Sequence, residues 1–494
     1  MQTKTPVVLT FLLPRLQDIL FIGILFVVAI YYGPQLFNLD GDLGRHITIG
    51  KYIIESRHIP TQDIFSHTMN GQRLVPHEWL AQVILSAAYL LMGLNGDVLL
   101  TALMVAYTFI LVYQEILGRG GFRLVALFVA LWAAAASSLH WLARPHIFTF
   151  LFLAIWTYSL EHFVLNKTKH IWLFPVLMCI WANTHGAFIA GFVVWGIYFV
   201  EWIWDFLQGR SIKELGVKLG LIGLSSLAIT FINPSGWHLW QTSVGYIGNN
   251  YLVSHTLEYL PPNFHDSSTW PFMFLLAYGL FALVLGKKLR LRDAMLLAGW
   301  SILGMYSARN IPLFAIVTAP IFGILVQGQV ENLPRLAKQD AELRQIESQL
   351  WSVFWPMLAV LFLGFAFWQN LPLALKQSGN RYDPQIFPVK AVDWLIQHPQ
   401  QGNTFNDFMW GGYLLYRTWP EYKVFIDGQT DFYGEALTRE YEQVMFVLDG
   451  WEDVLEKYDV AWVIIPANSI LADELAEQGW QELYCDATTT ILKK

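Results

Sequence analysis

The feature that most restricts this chain is a series of apolar runs matched to the thickness of a bilayer. A helix rises ~1.5 Å per residue, so crossing ~30 Å of hydrocarbon takes about 20 apolar residues. Segments 17–37, 97–117, 124–140, 147–164, 171–183, 187–207, 217–232, 270–286, 293–308, 311–327 and 351–371 meet or approach that requirement. Lipid offers the backbone no hydrogen bonds, so such runs must be helical. Only 14% of the 494 residues are charged, against about 25% in soluble domains. The 22 Trp and 34 Phe suit the aromatic belts of a membrane protein. Cys179 and Cys485 are the only cysteines, so no disulfide framework is expected. Lys4 and Arg15 precede the apolar run from Ile19 to Phe37, and no small-x-small cleavage site follows. That pattern is expected of an uncleaved signal anchor.

Charge sets the orientation. The run 79–93 is short and is separated from the next span by Leu94-Asn95-Gly96-Asp97. If it lies in the outer leaflet rather than crossing, the basic residues fall on one side. Arg119 and Arg123, Lys167 and Lys169, Arg210 with Lys213 and Lys218, and Lys287-Lys288 with Arg290 and Arg292 join the N-terminus. Arg335, Lys338 and Arg344 of the 328–350 linker do the same. This is the positive-inside pattern. The expected fold is therefore an α-helical multi-pass membrane protein of about 11 spans plus juxtamembrane helices in a first outer loop, 38–96. Residues 1–377 would form the membrane domain of a cell (inner) membrane protein, and 378–494 a small extracytoplasmic α/β domain. Within that tail, 378–384 reads as a linker, VKAVDWLIQH and Glu435–Val447 as helices, and KVFID and VAWVIIP as buried strands.

On this topology, unusual polar residues gather at the outer face. The first outer loop carries Asp40, Asp42, Arg45 and His46, then Asp63, then His77-Glu78-Trp79. Later outer turns add His140, Arg144 and His146, then Asn183 and His185, then the loop opening Asn233-Pro-Ser-Gly-Trp237-His238, then Arg309-Asn310. Ionisable groups at membrane depth are costly and mark functional cavities. Taken singly, each has an ordinary reading: a solvated loop residue, or an arginine snorkelling to headgroups. Asp40 and Asp42 stand out because Arg45 and His46 follow within about a turn. Carboxylate, guanidinium and imidazole together suit attack on a phosphate-linked group: the carboxylate takes the acceptor's proton and cations hold the leaving phosphate.

Other chemistries lack their signatures. No GxGxxG or P-loop opens a helix. There is no CxxC or HExxH, and the spacing of His140 and His146 does not specify a metal, so any divalent cofactor stays unknown. No basic patch interleaved with aromatics points to nucleic acid.

The first outer loop resembles that of the GT-C superfamily of polyprenyl-phosphate-sugar glycosyltransferases, which includes the protein O-mannosyltransferases and the lipid A aminoarabinose transferases. Asp42-Leu-Gly-Arg45-His46-Ile-Thr-Ile-Gly-Lys51-Tyr is similar to that family's acid-led helix. Pro76-His77-Glu78-Trp79-Leu is similar to its later stretch, and Leu142-Ala143-Arg144-Pro145-His146 to an A-R-P-D turn in which His146 replaces the acid. The match covers roughly residues 20–165. Asn406-Asp407-Phe-Met-Trp410-Gly-Gly-Tyr413 faintly resembles the WWDYG motif of oligosaccharyltransferases.

The resemblance implies inverting sugar transfer from a polyprenyl-phosphate-linked donor to an extracytoplasmic glycan, lipid or protein acceptor. Asp42 is then the catalytic general base, or orients the acceptor, with Asp40 as the second choice. Arg45, His46, His77, Arg144 and Arg309 hold the donor phosphate, while Glu78, His146, His185, Asn406 and Asp407 line the substrate site. Two alternatives remain: a transporter or flippase for lipids or lipid-linked sugars, and a non-catalytic anchor for the tail. A transporter would place polar groups near the midplane and between repeats, and neither is visible. An anchor leaves the Asp40–His46 group unexplained.

Overall fold

In the computed structural model, residues 1–9, 11, 246–248, 285–288, 352 and 376–378 lie outside the described residues. Lys4, Lys287 and Lys288, used above for orientation, are among those outside. A helix stands at each of the eleven apolar segments. Six helices are long and apolar enough to cross a membrane: 94–118, 123–140, 146–164, 186–207, 267–284 and 308–330. Leu16–Tyr32, Leu173–Ala182 and Phe354–Trp368 are shorter apolar helices. The 94–118 and 308–330 helices are central and largely buried, whereas 186–207 and 267–284 expose most of their surface. The exposed apolar surface includes Leu280 and Val284 here, Leu224 on the Lys213–Ile229 helix and Leu361 and Phe365 on the Phe354–Trp368 helix, which only lipid would cover.

Trp79–Met92 is a helix of 14 residues, ~21 Å long. It lies against the Asp42–Ser56 helix, where Gly50 faces the backbone of Gln82 and Ser86 Oγ donates to the carbonyl of Ile47 at 2.6 Å. The pair forms a platform over one end of the bundle.

The far end of the same helices holds a buried ion network. Glu161 accepts from Arg292 Nη2 at 2.9 Å, from Arg290 Nη1 at 3.0 Å and from the Tyr198 hydroxyl at 3.0 Å. Arg119 bonds Glu115 and Asp293, both at 2.9 Å, and Arg292 bonds Glu201 at 2.6 Å. Several basic residues that suggest the orientation therefore also fasten four helices together.

The tail builds a four-stranded sheet: β1 (Asn403–Asn406), β2 (Val460–Pro466), β3 (Gln481–Cys485) and β4 (Thr489–Lys493), in the order β1-β2-β4-β3. β1 runs parallel to β2, and β4 antiparallel to both β2 and β3. VAWVIIP is β2 as expected, and VKAVDWLIQH is the Val389–Gln397 helix. The helix expected over Glu435–Val447 runs from Thr430 to Met445, with a break at Gly434. KVFID is not a sheet strand. Its apolar residues are buried, but Val424 pairs with Ser66 of the first loop in a single bridge. Burial produced the strand-like pattern; the partner is the 65–68 segment. His67 N donates to Val424 O at 3.0 Å, Val424 N to Phe65 O at 3.1 Å and Thr68 Oγ1 to Phe425 O at 2.6 Å.

Glycine permits the closest approach between tail and platform. The Gly411–Thr418 helix crosses the start of the Asp42–Ser56 helix with Gly412 against Gly41 and Gly44. A methyl on Gly44 or Gly412 would overlap the other segment's backbone oxygen, and a backbone cannot rotate away as a side chain can. Gly412→Ala should therefore loosen docking by at least the ~1–3 kcal/mol typical of overpacking. Faster hydrogen exchange over 411–418, with unchanged exchange in β2, would register it; unchanged exchange in both would refute it.

Candidate functional site

The Asp42–Ser56 helix begins where its first turn meets Arg144, which follows the 123–140 helix. Asp42 Oδ2 lies 2.7 Å from Arg144 Nη2. Asp40 also pairs with Arg144, and its Oδ1 accepts the backbone N–H of Asp42 at 2.8 Å. Glu258 Oε1 accepts from the same guanidinium at 2.8 Å. Glu258 further lies 3.6 Å from Arg309, which donates to the Tyr259 hydroxyl at 2.9 Å and stacks on that ring. Three carboxylates thus converge on one arginine. Burial pushes the Asp40 carboxyl up to about 7, against the pull of Arg144, with Asp42 and Glu258 adding to the rise. Glu258 goes the other way: Arg144 and Arg309 outweigh its burial and hold it well below the usual carboxylate range.

A second group surrounds Glu78. Its oxygens lie 3.8 Å from Arg45 Nη2, 3.9 Å from His46 Nδ1, 3.9 Å from His77 Nε2 and 4.0 Å from His185 Nε2. Burial and the neighbouring arginines hold His46 and His185 well below the ordinary histidine range, so both are neutral imidazoles at neutral pH. His46 is thus no cation there, contrary to the sequence expectation, because its ring is sealed beneath the platform helix. His185 Nδ1 lies 2.9 Å from Thr149 Oγ1 and accepts the N–H of Ala187. His146 packs on His140 and bonds its carbonyl. Among the described residues, no group of three or more His, Cys, Asp or Glu is arranged to hold a metal ion.

The tail reaches this cluster through residues the sequence reading passed over. Arg45 Nη1 donates to Gln429 Oε1 at 2.8 Å, and Arg45 Nε lies 3.6 Å from Asp427. Asp431 lies 3.8 Å from His77. Gly428 rests on Asp42 so closely that a methyl there would overlap the carboxylate. Burial raises Asp427 to about 6, opposed by Arg45. A signal existed: Asp427-Gly-Gln-Thr-Asp431 is a turn sequence with two acids, directly after a buried apolar run. Glu258 was also passed over, although it is one of only two acids in the 233–269 loop.

Asn406 and Asp407 make their hydrogen bonds within the tail. The Asn406 amide bonds Phe425 N and Ile426 O, which presents the 427–431 turn. Asp407 caps the short helix at Phe408–Trp410 through Met409 N. The structure therefore brings together Asp40, Asp42, Arg45, His46, His77, Glu78, Arg144, His185 and Arg309, with His146 behind them and Asn406 and Asp407 as tail supports.

No family model matches the chain. No curated protein matches it in sequence. Solved structures do resemble it. The apo oligosaccharyltransferase of Archaeoglobus fulgidus superposes with a TM-score of 0.57 at 11% identity, over 91% of this chain and 69% of that one. The oligosaccharyltransferase AglB of the same organism, solved with an inhibitory peptide and a dolichol-phosphate, gives 0.53 at 13% identity over the same shares. ArnT from Cupriavidus metallidurans, bound to undecaprenyl phosphate, gives 0.48 at 14% identity over 96% of this chain and 97% of that one, too low a score to carry a comparison. The chain shares the fold of the two Archaeoglobus fulgidus oligosaccharyltransferase structures.

Proposed function

We propose that the chain is a membrane glycosyltransferase that moves a sugar from a polyprenyl-phosphate donor to an extracytoplasmic acceptor, with inversion. We place the N-terminus and 328–350 in the cytoplasm, eleven crossings between them and the tail, and 378–494 outside as a separate domain of an inner-membrane protein. The observation that carries the reading is Asp42, a carboxylate at the first turn of a platform helix, flanked by Arg45 and Arg144. The acceptor oxygen forms a bond to the anomeric carbon and gives its proton to Asp42. The bond from the anomeric carbon to the phosphate oxygen breaks, and its electron pair leaves with the polyprenyl phosphate. Arg45, Arg144 and Arg309 stabilise that anion, and His77 donates a hydrogen bond to it. Membranes containing the chain, incubated with labelled polyprenyl-phosphate sugars, should show label transfer and release of polyprenyl phosphate. Absence of both for every sugar offered rejects the reading.

The reading makes a pH prediction. Asp40 is protonated below about 7. As pH rises past that value it becomes charged, competes for Arg144 and repels the donor phosphate. KM for the donor should therefore rise above about pH 7. Asp40→Asn should keep most activity and lose this rise; a profile identical to the parent's excludes Asp40 as its source.

A further inference from the structure

Arg45 is held from the tail side, and the way it is held leaves part of it unused. Its Nη1 donates to Gln429 Oε1 at 2.8 Å. The remaining fork, Nε–H with Nη2–H, is the edge that binds carboxylates and phosphates with two parallel hydrogen bonds. Here it binds neither. Nε is buried and makes no hydrogen bond among the described residues. The nearest acids, Asp427 at 3.6 Å from Nε and Glu78 at 3.8 Å from Nη2, stand beyond hydrogen-bond reach. The side chain is only 4% exposed, so water does not replace them freely. A buried N–H donor without a hydrogen-bond partner is costly, and a phosphate oxygen reaching Nε would relieve that cost.

The choice of glutamine matters. An amide oxygen fixes the guanidinium without adding a charge, whereas a third carboxylate beside Asp427 and Glu78 would add to the repulsion that a phosphate meets. A small crevice lies beside it, lined by Leu74, Pro76, His77, Glu78, Gln82 and Gln429. We propose that Gln429 is a positioning residue: it aims the Arg45 fork at the donor's phosphate, so the tail takes part in donor binding. This rests on the glycosyltransferase reading above.

The test is binding of undecaprenyl phosphate to the purified full-length protein in detergent, alongside KM for the donor. Gln429→Leu removes the acceptor. Gln429→Glu keeps an acceptor of the same length and strengthens the bond to Arg45, so docking of the tail should be unharmed. Both variants should nevertheless bind undecaprenyl phosphate about tenfold more weakly. A bond that merely fastens the tail predicts the opposite for Gln429→Glu, namely parental or better binding, and that result overturns the proposal. If Gln429→Leu does not fold, the Gln429→Glu arm still decides. If the parent itself binds no undecaprenyl phosphate, the glycosyltransferase reading fails and this proposal falls with it, an outcome the parental arm separates from failure of Gln429 alone.

Discussion

Asp42→Asn should slow sugar transfer by about 10²–10⁴-fold, the usual consequence of losing a positioned base. The substitution keeps the size of the side chain and an oxygen for Arg144, which now lies 2.7 Å from the carboxylate. It removes the charge that accepts the proton in the proposed mechanism. The Asp42–Ser56 helix should still form, because its packing rests on Leu43, Ile47, Ile49 and Gly50 rather than on the acid. Asp40→Asn should cost much less, since Asp40 shares Arg144 with Glu258 and carries a proton near neutrality. The measurement is transfer in membranes holding equal amounts of each variant. Near-parental activity in Asp42→Asn would remove this residue from the mechanism and turn attention to Asp40 or Glu78.

Glu161→Gln should destabilise the bundle by ~3–5 kcal/mol, the range seen when one partner of a buried ion pair is removed. Glu161 is the hub at the far end from the site. Its two oxygens accept from Arg292, Arg290 and Tyr198, with Arg119 a further 3.4 Å contact. An amide keeps the bond to Tyr198 but turns an NH2 group towards a guanidinium. Arg119 and Arg292 would then be buried with fewer counter-charges, in a setting where they cannot reach water. Thermal unfolding of the detergent-solubilised protein should fall clearly below that of the parent, while donor binding at the opposite end changes little in the folded fraction. An unchanged unfolding temperature would mean that Arg119 and Arg292 are satisfied by Glu115, Asp293 and Glu201 alone.

The membrane helices were legible in the sequence because lipid leaves the backbone one way to satisfy its hydrogen bonds within a single run of chain. The run 79–93 was legible as a helix distinct from the next span, and it forms one over Trp79–Met92. Much of one wall of the site was legible too: Asp40, Asp42, Arg45 and His46 lie within a few residues of one another, so a single helix start brings them together. The strands β1, β3 and β4 were not seen, since four- and five-residue strands with mixed exposure lack a clear alternation. KVFID misled because burial, not sheet pairing, made it apolar.

What the sequence determined by itself is the class of fold and the gathering of polar residues at one end of it, both consequences of local pattern: apolar length for the helices, and charge that is costly to place at membrane depth. The tertiary structure alone decided which distant residues complete that face. Gln429 meets Arg45 across 384 positions of chain, Glu258 meets Arg144 across 114, and glycine contacts between 41–44 and 411–412 set how closely the tail can descend. No local periodicity encodes such meetings, because they depend on how two separately folded surfaces fit, and the fit here turns on the absence of a single methyl group at each glycine.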